Sequence, residues 1–391
     1  MFLTETTQKK YERWIEFGYF LCMVGLGIGG SLFGPLMLRL SESVNRSVAD
    51  CGSYIIFLGL GFLVTSIFLA RLYDRLPGNK LVSFGLIAEA VLISFIGRVN
   101  ALWQLFALAF LLGIASGIVD VGISALIPWL LGERCKPAMN FIHLCYSLGA
   151  IITPLLIGKT LQTTTNIGGT LVLLSCLLIP PAVFICFLPS PMIPKETKTE
   201  TSEKGKAGAV FTVMALFGMV LFFASGSQQT SNNWVSTVAL QGEMTDEAGA
   251  SFVSSVYWIG ILSSRALATF LADRLSSFAL VSVSLMISFI NALVMRFSAG
   301  NLNVFRVCTF ISGMTIGPII ANIFLLVKER IVLTGKLNGI LFTVNEVGVM
   351  LIPWLFGKTA VGANIVSYYS SALMLFSFCA FSLVLIGKKK A

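Results

Sequence analysis

Gly149-Ala150-Ile151-Ile152-Thr153-Pro154-Leu155-Leu156-Ile157-Gly158-Lys159-Thr160 returns 199 residues later as Gly348-Val349-Met350-Leu351-Ile352-Pro353-Trp354-Leu355-Phe356-Gly357-Lys358-Thr359. The same shift carries Asp74-Arg75-Leu76 onto Asp273-Arg274-Leu275. Gly and Pro recur at matching places because both copies need the same close packing and the same local backbone. Two separate segments sharing one offset argue against chance similarity in apolar sequence. The chain therefore reads as two copies of one hydrophobic unit joined in the same orientation.

The composition around these copies fits a polytopic membrane protein. Of 391 residues 56% are hydrophobic and 12% charged, with a mean hydropathy of +0.88, which excludes a soluble globular protein. Apolar stretches near the ~20 residues that cross a bilayer as a helix recur along the whole length. Twelve are expected, at about 15–38, 51–72, 81–99, 102–131, 138–159, 168–188, 209–236, 250–272, 278–298, 302–328, 335–357 and 365–387. No period-two alternation runs through them, so a transmembrane barrel is excluded. The fold class expected is an all-α polytopic membrane protein, twelve transmembrane helices in two pseudo-symmetric six-helix bundles. The bundles are expected at 1–188 and 209–391, joined by a polar cytoplasmic linker at 189–208 rich in Lys, Glu, Thr and Ser.

The net charge of +9 follows the membrane and not nucleic acid. With the amino terminus inside, the inner loops hold Lys9, Lys10, Arg13, Arg71, Arg75, Lys80, Arg134, Lys136, Arg274, Lys328, Arg330 and the run Lys388 to Lys390. The outer side has fewer basic residues and the acidic group Glu243, Asp246, Glu247. That asymmetry is the positive-inside pattern and puts both termini in the cytoplasm. The cysteines fall mostly inside apolar spans without CxxC spacing, so neither disulfides nor a metal site is expected. The first apolar run is long enough to remain as a helix, so no cleavable leader is expected.

Ionisable groups inside such helices cost several kcal/mol (roughly 2.5–3.5 for Asp at the centre) and are candidates for function. Asp120 is the first. In Gly113 to Ser124, positions 113, 117, 120 and 124 share one helical face of small residues plus a carboxylate, the surface expected on a crowded, hydrated cavity. Its structural alternative is an ion pair with a buried Arg such as Arg265. Glu346 follows Asn345 in the eleventh helix, and the 199-residue shift lays it on Ser147. Glu89, on the third helix, is the third such acid.

The most polar stretch of any span is Ser225-Gly226-Ser227-Gln228-Gln229-Thr230-Ser231-Asn232-Asn233-Trp234. Amides supply donors and acceptors together, which suits hydroxyl-rich ligands, and an indole can stack on a sugar's apolar face. The single histidine, His143, lies with Asn140 on the fifth helix and can donate a structural hydrogen bond or move a proton. Trp258 and Asn322 are further cavity or packing candidates.

Several of these segments resemble known transport families. Ala70-Arg71-Leu72-Tyr73-Asp74-Arg75-Leu76-Pro77-Gly78-Asn79-Lys80 resembles the major facilitator signature loop between the second and third helices, with Ala70 where that family usually has Gly. The resemblance implies that Asp74 and Arg75, with Asp273, Arg274 and Arg265, take part in gating. Gln228-Gln229 is a partial match to the Gln-Gln element of facilitative glucose transporters. Gly117-Ile118-Val119-Asp120, Asn140 to His143 with Leu148-Gly149-Ala150, and Trp258-Ile259-Gly260 with Arg265 are similar to the fucose–galactose–glucose:proton symporter family and its sodium-dependent glucose transporter-like relatives. That family often has Glu where this chain has Gln228.

What the resemblance implies is secondary active transport of a small polar solute, a sugar first, by alternating access coupled to a proton or sodium gradient. Asp120 and Glu346 are then expected as ion-coupling groups. Gln228, Gln229, Asn232, Asn233, Trp234, His143, Asn140, Asn345, Trp258 and Asn322 are expected to bind substrate. The expected partners are the solute, the ion and the lipid bilayer. No cofactor, metal or nucleic acid is expected, and the chain is expected to act as a monomer in a bacterial inner membrane or a eukaryotic plasma or organelle membrane. Export of metabolites or amphiphilic drugs is an alternative, as is a non-transporting nutrient sensor, which the absence of a sizeable cytoplasmic domain disfavours. No nucleophile, base and orienting group fall in a recognisable arrangement, so catalysis is not expected.

Overall fold

The computed structural model of the chain describes residues 5–191, 207–271, 276–297, 300–331, 335–360 and 364–389. Helices make up almost all of them: α1 (Glu5–Gly30), α2 (Phe33–Ser43), α3 (Val48–Cys51), α4 (Tyr54–Val64), α5 (Gly78–Phe95), α6 (Leu102–Leu131), α7 (Cys135–Leu161), α8 (Gly168–Phe187), α9 (Ala207–Gln241), α10 (Glu247–Leu271), α11 (Ser277–Phe297), α12 (Leu302–Lys328), α13 (Gly335–Thr359) and α14 (Ile365–Lys389). Among the described residues eleven helical spans are long and apolar enough to cross a membrane. The twelfth expected span is α10, whose 25 residues include Ser251, Ser254, Ser255, Ser263, Ser264 and Arg265, which lower its hydropathy.

Two spans are interrupted. The first runs from Lys10 to Ser43 and breaks between α1 and α2. Gly25, Gly27, Gly29 and Gly30 weaken the helix there, and Pro35 has no N–H to continue it, so the chain restarts with Pro35 in the first turn of α2. The second span continues from α4 through a π-helical turn, Thr65–Leu69, into a 3-10 turn, Ala70–Asp74. Thr65 is fully buried in it, and its hydroxyl donates to the carbonyl oxygens of Ile114 at 3.1 Å and Gly61 at 3.4 Å.

The chain divides into two compact units, Met1–Thr197 and Lys198–Ala391. Of the stretch expected as linker, 192–206 lies outside the described residues. Within the first unit α1 packs on α7, α8 and α6, α4 on α6, and α5 on α6 and α8. Within the second, α9 packs on α13, α14 and α12, α10 on α12, and α11 on α12 and α14. These pairings correspond between the units, and the second adds packing of α10 on α9. The tightest crossings are made by glycines, and most of these obey the 199-residue shift. A methyl group on Gly27 would overlap the Tyr146 carbonyl, and one on Gly149 the Val24 carbonyl. Gly226 and Gly348 occupy the equivalent positions, where a methyl would meet the Ile352 side chain and Gly348 carbonyl in the one case and the Phe222 carbonyl in the other. Gly61 and Gly113 cross on the carbonyls of Phe110 and Leu58, as Gly260 and Gly313 do on those of Phe310 and Tyr257. Backbones this close leave room for no side chain, the usual means by which helices associate where lipid gives no hydrophobic drive.

The units also end their first helices alike. Asn45 and Glu243 both take positive φ, 52° and 54°. After each helix the following amide reaches back five residues, Arg46 to the Ser41 carbonyl at 3.0 Å and Met244 to the Ala239 carbonyl at 3.1 Å. This is a Schellman closure in both copies, built on different residues. Large apolar side chains face outward, among them Phe187 at 84% and Phe297 at 80% exposure, as befits an integral membrane protein whose outer surface meets lipid.

Candidate functional site

In the first unit the small-residue face of α6 is mostly a helix crossing. Gly113 meets the Leu58 carbonyl, and Gly117 lies against Thr65 of the π-helical turn. The glycines expected on a cavity wall are thus buried against the second span, because their lack of a side chain suits backbone contact. Asp120 lies beyond them and is half-buried, with no hydrogen-bond or ion-pair partner among the described residues. Ser116, one turn earlier, donates to Oε1 of Glu89 at 3.1 Å. Glu89 is fully buried. Its carboxyl is enclosed because that face of α5 packs on α6, α8 and α1, while Phe84, Val91 and Phe95 of the same helix face outward.

On α7, Asn140 and His143 are exposed and Ser147 is fully buried. Ser147 donates to the His143 carbonyl at 3.0 Å. Asp74 and Arg75 are exposed at the end of the 3-10 turn and form no ion pair with another described residue. Their counterparts Asp273 and Arg274 lie outside the described residues. The next residues hold a clamp that the sequence reading missed. Asn79 is fully buried, its Oδ1 accepts from the Tyr19 hydroxyl at 2.6 Å, and its Nδ2 donates to the carbonyls of Leu188 and Pro189 at 3.2 and 2.9 Å. It ties the start of α5 to α1 and to the end of α8. At the same end Arg134 pairs with Glu12 at 2.8 Å.

In the second unit the polar run of α9 separates into two kinds of side chain. The first kind is buried and bonded. Asn232 Oδ1 accepts from the Trp258 indole at 3.0 Å, Asn233 Nδ2 donates to the Gln229 carbonyl at 2.9 Å, and Trp234 Nε1 donates to the Pro353 carbonyl at 3.0 Å. The Trp234 ring also fills the space beside Gly357 and packs edge-on against Phe356. Its place is the α9–α13 interface, where Gly357 makes room for it. Ser231 accepts from the Tyr369 hydroxyl at 2.8 Å, and Tyr257 donates to the Gln228 carbonyl at 3.1 Å. Neither tyrosine was singled out from sequence; both lie in apolar helices where only the packing reveals them.

The second kind is Gln228 and Gln229. Both are half-buried, and their side-chain amides make no hydrogen bond among the described residues. The 199-residue shift lays them on Gly29 and Gly30, where α1 breaks. Ser225 of α9 donates to Oδ1 of Asn345 on α13, while Asn345 Nδ2 donates to Glu346 Oε1 at 3.0 Å, so a polar bridge joins α9 and α13. Glu346 is half-buried. Asn322 donates to the Pro318 carbonyl of its own helix at 2.7 Å, and Arg265, half-buried on α10, stands beside Gly317 of α12.

Known proteins resemble the chain over nearly its whole length. The sequence model of the Major Facilitator Superfamily matches residues 19–353. The mouse protein named sodium-dependent glucose transporter 1A is 22% identical over 86% of this chain and 88% of its own length. The human sodium-dependent glucose transporter 1 is 21% identical over 85% and 71%. The nucleoside transporter NupG superimposes with a TM-score of 0.71 at 13% identity, covering 97% of this chain and 98% of its own. An inward-facing, unoccupied bacterial homologue of the human lysosomal transporter Spinster gives 0.70 at 14%, covering 97% and 96%.

Proposed function

The chain belongs to the Major Facilitator Superfamily, and on that footing we propose that it carries a small polar solute, a sugar first, by alternating access coupled to a proton or sodium gradient. The observation that carries this reading is the pair of amides at Gln228 and Gln229. On the helix where Ser225, Asn232, Asn233 and Trp234 are bonded, these two side chains keep donors and acceptors open among the described residues. A hydroxyl-rich ligand is matched by amides, which can accept from one hydroxyl and donate to the next. The names of the mouse and human relatives favour glucose over other polyols. Asn345 and Glu346 form the neighbouring polar bridge, and Glu346 is our second candidate for coupling.

Asp120 is our first. A half-buried carboxylate with no fixed partner can take up and release a cation as its surroundings open and close. The basic side of the loops is taken as cytoplasmic, with both termini there, and the working unit as one chain.

Purified protein in proteoliposomes tests the reading. Labelled D-glucose is expected to accumulate against its gradient when an inward proton or sodium gradient is imposed, and not without one. Asp120→Asn is expected to abolish that accumulation while counterflow exchange persists. Wild-type protein that binds and moves nucleosides but no hexose would overturn the substrate class, and accumulation retained in Asp120→Asn would overturn the coupling role.

A further inference from the structure

One ionisable group in the first unit has no role so far. Glu89 is fully enclosed at the middle of α5. Its Oε1 accepts from Ser116 Oγ at 3.1 Å and lies so close to Gly29 of α1 that any side chain there would overlap it. Its Oε2 is buried and has no hydrogen-bond partner. The helices packed on α5 bring little charge toward it. α6 contains one ionisable residue, Asp120. α8 has only Cys176 and Cys186, and α1 beyond Glu16 has only Tyr19 and Cys22. The Tyr146 hydroxyl of α7 lies against Gly30, the neighbour of Gly29. No Lys, Arg or His occurs in these segments of α1, α6 and α8.

A carboxylate shut away without a counter-charge is strongly disfavoured unless a cation neutralises it. The cation that fits is the proton. A sodium ion needs a shell of several oxygens, and among the described residues Oε2 has no hydrogen-bond partner. A proton needs one lone pair, which Oε2 offers. Ser116 is half-buried and precedes Asp120 by one turn on α6, so the hydroxyl bonded to the enclosed carboxyl lies one helical turn from the more open carboxylate.

We infer that Glu89 is a second proton-carrying site of this transporter, working beside Asp120 through Ser116. A proton adds to Oε2, the side chain passes from charge −1 to 0, and the proton returns to water when the cycle reverses. No other bond changes. The inference rests on the reading of the chain as an ion-coupled carrier, but its first test needs no solute.

Infrared difference spectra of the full-length protein in lipid nanodiscs, titrated over roughly pH 5 to 9, read carboxylic C=O absorption directly. Wild type is expected to show a buried carboxylic component that Glu89→Gln removes and Asp120→Asn leaves in place. Ser116→Ala is expected to shift that component, because it removes the hydrogen bond to Oε1 and keeps the acid. In proteoliposomes Glu89→Gln is expected to lose gradient-driven D-glucose accumulation, with the internal concentration falling to the external one, while counterflow persists. A Glu89→Gln spectrum identical to wild type overturns the inference, and so does a component that answers to NaCl at constant pH. If Glu89→Gln does not fold, an unchanged spectrum in Ser116→Ala overturns it alone. Wild type that moves no glucose would instead overturn the solute assignment and leave the infrared result to stand or fall separately.

Discussion

At the scale of single residues, the second unit separates side chains that hold the bundle from side chains left open. Trp234 and Gln228 lie six positions apart on one helix, yet the indole is buried against α13 and the amide is not. Trp234→Phe is expected to destabilise the protein by about 1 kcal/mol through the lost bond to Pro353. That would appear as a lower unfolding midpoint in detergent. Gln228→Ala is expected to leave that midpoint in place and to weaken glucose binding about tenfold, near 1.4 kcal/mol. A Gln228→Ala protein that binds glucose as wild type does would remove Gln228 from the site. The sequence identified this run as polar but could not divide it, since composition is silent on which amide meets a partner. Glu89 shows the same limit. Its place on the third helix said nothing of its surroundings, and the packing of α5 against α1, α6 and α8 encloses its carboxyl.

Elements were more legible than residues. Long apolar runs bounded by Gly, Pro and charged turns fixed the helices, and α8, α11 and α12 begin and end within a residue or so of the expected limits. The departures have physical causes. The first span runs longer and breaks at Gly30, because its glycines and Pro35 disfavour an unbroken helix. The second ends in π and 3-10 turns that no hydropathy pattern encodes. The glycine crossings at 27, 61, 226 and 260 were also present in the sequence under the 199-residue shift, but a lone glycine identifies no partner until the helices are side by side. Gly260→Ala and Gly61→Ala are each expected to destabilise by about 1–3 kcal/mol, since the methyl must displace a facing backbone; equal unfolding midpoints for mutants and wild type would contradict the crossings. The Schellman closures predict the opposite sign. Glu243→Gly relieves a left-handed residue and is expected to stabilise by up to about 1 kcal/mol, whereas a loss of stability would indicate that the glutamate does something further at that turn.

For the whole molecule, the repeat and the charge asymmetry are the two statements the sequence makes most fully. The main helix pairings recur in both copies, and the basic loops predict an orientation. In a variant with the eight native cysteines replaced, a membrane-impermeant maleimide added to intact cells is expected to label Glu243→Cys and to reach Arg134→Cys only after permeabilisation. Reversed labelling would invert the assigned topology. What the sequence left unsaid at this scale is how little chain the architecture depends on. Gly27, Gly149 and Gly348 each face a carbonyl of the neighbouring backbone, so no side-chain change nearby can make room once a methyl enters there. Outward-facing positions such as Phe187 and Phe297 answer only to lipid and accept any greasy substitute. Mutational tolerance should therefore be sharply uneven, with a handful of intolerant points set in a broad permissive surface, and a deep substitution scan of this chain would draw its helix contacts as a sparse pattern of dots.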